Sequence, residues 1–258
     1  MNRIDRMFQE KPSGILSIFM TAGYPALEDT VPLLHALQDY GADMVEVGIP
    51  FSDPLADGPV IQQSSQAALE NGMTLKLLFS QLESIRPGIQ IPVLLMGYLN
   101  PIFRMGMELF LDNCRRVGID GVIIPDLPPD EFELHYREMF AERGIYNVML
   151  VTPHTSVERI RKIASLSGGF LYLVAEASTT GTREAIGPHQ VEYFDRIREM
   201  ELPLPGLIGF GISSRETFRK ASTYAGGAII GSAFIKSLNA EGTLQGKVKK
   251  FMEMVRGN

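Results

Sequence analysis

A strand–helix alternation that recurs eight times limits what this chain can fold into more than any other feature. Short apolar or β-branched runs occupy 15–20, 44–49, 92–96, 121–124, 147–151, 170–174, 206–210 and 228–230. Most are continuous rather than alternating, which is how strands buried on both faces of a parallel sheet read. In the intervals, Leu27, Val31, Leu34 and Leu37 recur at helical spacing, as do Leu244, Val248, Phe251 and Val255. Thr155 with Glu158 and Ser213 with Glu216 read as capping boxes, and Pro128-Pro129-Asp130-Glu131 as a helix start. No linker or low-complexity stretch interrupts the series. The pattern predicts one domain over 1–258, an α/β fold of the (β/α)8 TIM-barrel type, with extra helices at the N-terminus and after strand 2. A doubly wound open sheet is the alternative, because periodicity does not report closure.

Bulk properties narrow the function. Hydrophobic residues make up 45% and charged residues 21%, as in ordinary globular proteins. The single cysteine, Cys114, allows no internal disulfide and fits a reducing cytoplasm. A formal net charge of −6 argues against nucleic acid as the main partner. The first residues, with charges among Ile4, Met7 and Phe8, lack an apolar signal core, and no run approaches the ~20 residues of a membrane span. A cytoplasmic protein without membrane or nucleic-acid partners is the expectation.

In a barrel, chemistry gathers at strand C-termini and the loops that follow. Glu46 interrupts an otherwise apolar strand, and burial there raises a carboxyl pKa into the range of general acid–base work. A strand residue paired with an arginine is the plainer reading. Asp57 lies in the next loop within Ala-Asp-Gly-Pro, which also reads as ordinary turn chemistry. Two carboxyls in unlike surroundings can take opposite proton roles. At the other end, Gly209-Phe210-Gly211 and Gly231-Ser232-Ala233 follow the last two strands, where barrels bind phosphate on backbone amides. The small, polar loop 175–183 suits a lid, and equally a plain flexible loop. None of the eight lysines falls at an expected strand C-terminus, which disfavours a Schiff-base aldolase, and the four histidines show no metal-ligand spacing. Metal-free acid–base catalysis on a phosphorylated substrate remains.

Val47-Gly48-Ile49-Pro50-Phe51-Ser52-Asp53-Pro54-Leu55-Ala56-Asp57-Gly58-Pro59 closely resembles the signature of tryptophan synthase alpha subunits. The similarity extends to 19–25, 96–103, 125–129, 209–213 and 231–233, and to the absence of tryptophan. It implies a lyase of tryptophan biosynthesis that splits indole-3-glycerol phosphate by retro-aldol cleavage into indole and glyceraldehyde 3-phosphate. By this resemblance Glu46 and Asp57 are catalytic, and Gly181, Gly211, Gly231 and Ser232 hold the phosphate. Phe19, Tyr98, Thr180 and Phe210 match positions around the indole ring. Asp53, Pro54 and Asp126 match positions facing a beta subunit in an alpha2beta2 complex. No cofactor is expected in this chain; pyridoxal phosphate belongs to that partner. Many members carry arginine and glycine where this chain has Glu176 and Ser178. Another phosphate-binding barrel, of the isomerase or indole-glycerol-phosphate synthase type, is the alternative, although such a synthase needs a strand-end lysine.

Overall fold

The computed structural model describes residues 1–175, 188–209 and 211–257. Its strands are β1 (Ile15–Thr21), β2 (Met44–Gly48), β3 (Val93–Met96), β4 (Gly121–Ile123), β5 (Tyr146–Asn147), β6 (Met149–Val151), β7 (Leu171–Val174), β8 (Gly206–Gly209) and β9 (Gly227–Ile230). All pairings are parallel, in the order β5-β4-β3-β2-β1-β9-β8-β7-β6. The two outermost strands are consecutive in the chain, with only Val148 between them. Tyr146–Asn147 pairs with β4 and Met149–Val151 pairs with β7, while the Val148 N–H reaches the Val122 carbonyl at 2.9 Å. The split strand therefore fills one stave and closes the sheet into an eight-staved (β/α)8 barrel. The fifth sequence run, 147–151, is this split stave.

Strand periodicity explains why the runs are continuous. Ile15, Met44, Leu94, Ile123, Val148, Phe170, Leu207 and Ile229 fill the barrel interior. Their neighbours Leu16, Ile18, Val45, Val47, Val93, Leu95, Ile208 and Ile230 pack outward against helices. Each strand thus presents apolar side chains to both faces. Helix Arg3–Glu10, capped by the Asn2 side chain, adds Ile4 and Met7 to the interior cluster and plugs the end where the strands begin. Strands β1 and β9 approach so closely that a Cβ on Gly227 would lie 2.0 Å from the Ile15 carbonyl oxygen, so only glycine fits there.

The extra helices fall where the sequence predicts them, Arg3–Glu10 before β1 and the pair Pro59–Glu70 and Leu75–Leu82 after β2. The caps shift by one residue. Ser156, not Thr155, caps Val157–Leu166, because the Thr155 hydroxyl accepts the Thr152 N–H at 3.0 Å and closes a turn instead. Ser214, not Ser213, caps Arg215–Ala221, and its reciprocal partner is Thr217 rather than Glu216. The helix start at Pro128-Pro129 is present, with Pro128 as the cap of Pro129–Glu131.

Candidate active site

Glu46 belongs to the inward set of β2, flanked in register by Phe19 on β1 and Leu94 on β3. It has no solvent exposure. The Ser17 hydroxyl, also buried in the barrel, donates to its Oε1 at 2.8 Å, and Oε2 has no partner. Burial pushes the Glu46 carboxyl up to about 8, against the opposing pull of the Ser17 bond.

Asp57 reaches the same end of the barrel from the loop between β2 and helix Pro59–Glu70. Its N–H bonds the Pro54 carbonyl at 3.1 Å, and its own carbonyl accepts Gln62 Nε2 at 2.9 Å, so the turn is pinned on both sides. The carboxyl is half-buried. Burial raises its pKa to about 6, and a hydrogen bond from the Tyr98 hydroxyl acts the other way. Tyr98 is itself fixed, since its oxygen accepts the Ala56 N–H at 2.9 Å.

A cavity of about 310 Å³ opens at the strand C-termini. Asp57 lines it from the loop after β2, and Phe19 from β1. Gly231 and Ser232 enter after β9 and Gly211 after β8, one and two staves beyond β1. Five sequence candidates from distant parts of the chain thus share one small space. Glu46 is not on its wall. It lies beside the wall residue Phe19, its register partner, and Tyr172 marks the connection: that phenol lines the cavity and is pushed well above its usual pKa by burial, by Glu46 and by Asp57.

A second cavity, of about 500 Å³, gathers Asp53, Tyr98 and Asp126 with Phe51 and Leu55. Asp126 accepts the Leu99 N–H at 2.8 Å, tying the loop after β4 to the start of helix Leu99–Met105. Leu55, which lines this cavity with the two acids, is 95% exposed. Pro54 does not line this cavity; its carbonyl serves the Asp57 turn instead. The expectations for Thr180, Gly181, Phe210, Glu176 and Ser178 lie outside the described residues.

Sequence reasoning overlooked Ser17, Tyr172 and Lys236. Ser17 and Tyr172 are polar residues at inward positions of apolar strands, the same signal that exposed Glu46. Lys236 lines the first cavity from helix Ser232–Ser237. It stands four residues after Ser232 and so on the same helical face.

A family model described as "Tryptophan synthase alpha chain" matches residues 7–257. The tryptophan synthase alpha chain of Flavobacterium psychrophilum is 54% identical over 255 residues, covering 99% of this chain and 100% of that one. The solved tryptophan synthase subunit alpha of Legionella pneumophila superposes with a TM-score of 0.89 at 33% identity, covering 100% of this chain and 98% of that one. A tryptophan synthase complex from Pyrococcus furiosus gives a TM-score of 0.86 at 34% identity, covering 95% of this chain and 99% of that one. The likeness runs through every strand that builds the cavity and nearly every residue of the chain, and on that ground the chain belongs to the tryptophan synthase alpha chain family.

Proposed function

We propose that this chain cleaves indole-3-glycerol phosphate to indole and glyceraldehyde 3-phosphate, with Glu46 and Asp57 as its acid–base pair. The observation that carries the reading is a pair of carboxyls in unlike surroundings, Asp57 on the cavity wall and Glu46 buried beside the wall residue Phe19, with pKa values raised to about 6 and about 8. At neutral pH this leaves Glu46 protonated and Asp57 ionised. Glu46 gives its proton to indole C3, and Asp57 accepts the indole N–H and stabilises the positive charge of the indolenine-like intermediate. The Glu46 carboxylate then takes the proton of the glycerol C3′ hydroxyl as the C3–C3′ bond breaks. The electron pair of that bond restores the indole ring, and the hydroxyl carbon becomes the aldehyde. Glu46 ends protonated, as it began. Because Glu46 is fully buried, its carboxyl has to leave the Ser17 bond and turn past Phe19 to reach substrate.

The phosphate rests on the amides of Gly181, Gly211, Gly231 and Ser232, and the indole ring packs among Phe19, Tyr98, Thr180 and Phe210. Asp53, Pro54 and Asp126, beside exposed Leu55, face a beta subunit that carries pyridoxal phosphate and receives the indole, in an alpha2beta2 assembly in the cytoplasm. The test is indole release from indole-3-glycerol phosphate, with and without a tryptophan synthase beta subunit. Glu46→Gln and Asp57→Asn are each expected to nearly abolish release while analogue binding persists. Full activity in either variant removes that residue from the mechanism, and no release by the unaltered chain under either condition overturns the reading.

A further inference from the structure

The cavity that holds Asp57, Gly211, Gly231 and Ser232 is lined by a single basic side chain among the described residues, Lys236. It is exposed and forms no ion pair or hydrogen bond through its side chain with any described residue. The other charged group on the cavity wall among the described residues is Asp57, whose carboxylate repels an incoming anion. The whole chain adds to that repulsion, with a formal net charge of −6. Among the described residues that line this mouth, Lys236 is therefore the one side chain whose charge attracts a phosphate ester. Backbone amides can orient phosphate oxygens, but they carry no net charge to offset a dianion.

We propose that Lys236 is the residue that makes this site specific for a phosphorylated substrate, by supplying the counter-charge that draws in the dianion and balances it beside Gly231 and Ser232. The inference rests on the function proposed above and adds to it a binding residue from outside the glycine loops. Because the ammonium acts as an exposed point charge, its contribution appears in substrate capture, weakens as salt screens it, and survives exchange for another cation. A lysine that merely stiffened its helix would show none of these.

The experiment uses the full chain, alone and with the beta subunit, and compares it with Lys236→Ala and Lys236→Arg. Three readouts are taken: kcat and KM for indole-3-glycerol phosphate across a range of salt, competitive inhibition by inorganic phosphate, and the thermal shift that inorganic phosphate produces. Lys236→Ala should raise KM by roughly tenfold, the order of one charge-assisted contact, with kcat within about twofold. Its KM should lose most of its salt dependence, and both phosphate inhibition and the phosphate thermal shift should weaken. Lys236→Arg should restore all three. Unchanged KM, salt dependence and phosphate response in Lys236→Ala would overturn the inference, and so would a fall in kcat with KM unmoved. If the unaltered chain releases no indole, the proposed function fails, yet the phosphate thermal shift still decides the role of Lys236.

Discussion

Replacing Glu46 by glutamine should stabilise the protein, and by an amount that depends on pH. Glutamine keeps an oxygen to accept the Ser17 hydroxyl and nearly the same volume, so the perturbation is confined to the titrating proton. The folded carboxyl titrates at about 8 against 4.5 for an unperturbed one. A raised folded pKa means that Glu46 favours the folded state fully below about 4.5, and that this benefit drains away as pH climbs through about 8. At about 1.4 kcal/mol for each pH unit, the loss accumulates to about 5 kcal/mol. That rivals the entire stability of a small domain, so a buried carboxylate here is a heavy cost to folding. Urea unfolding of the two proteins from about pH 5 to about pH 9 reads the effect directly. The curves should nearly coincide at the acid end, diverge steadily through neutrality, and run parallel above about pH 8, with Glu46→Gln the more stable. A difference independent of pH, or a less stable variant at the alkaline end, would refute the argument that burial raises this pKa.

Cleavage should follow a bell-shaped pH profile, needing Asp57 ionised and Glu46 protonated, with limbs near about 6 and about 8. Tyr98→Phe removes the hydroxyl that favours the Asp57 carboxylate, so the acid limb should move to higher pH while the basic limb stays; a stationary acid limb would separate Tyr98 from Asp57. At the opposite end of the barrel, buried Asp120 accepts from Arg86 Nη2 at 2.7 Å, Arg3 Nη1 at 2.9 Å and the Val93 N–H at 2.9 Å. Asp120→Ala leaves Arg86 half-buried without its carboxylate and should cost about 3–5 kcal/mol in chemical unfolding, with activity per folded molecule unchanged.

What could be read from the sequence and what could not divides along a physical line. A strand buried on both faces must be apolar at every position, so Glu46 within Val45-Glu46-Val47 stood out as a violation and led straight to the site. Ser17 and Tyr172 break the same rule more quietly. A hydroxyl is cheap to bury when it finds a partner, so a serine or tyrosine in an apolar run carries little signal until the register brings Ser17 and Glu46 to adjacent inward positions. Closure was invisible for a different reason. It depends on Tyr146–Asn147 and Met149–Val151 pairing with strands on opposite sides, and nothing local in that segment records the choice of partner.

Lys236 shows the sharpest limit. Schiff-base chemistry needs a buried amine at the reacting carbon, which in a barrel means a lysine at a strand end. A counter-charge has no such need: it can act from an exposed helical position, several ångströms away, on a flexible stem. An exposed lysine on a short helix is the most ordinary residue a sequence can present, and it violates no rule of composition, periodicity or burial. It becomes informative only when β9 aims helix Ser232–Ser237 along the cavity wall, one turn bringing Ser232 and Lys236 to the same mouth. Residues that function by being buried against their nature can be found from sequence, whereas those that function by where an ordinary side chain is carried require the fold.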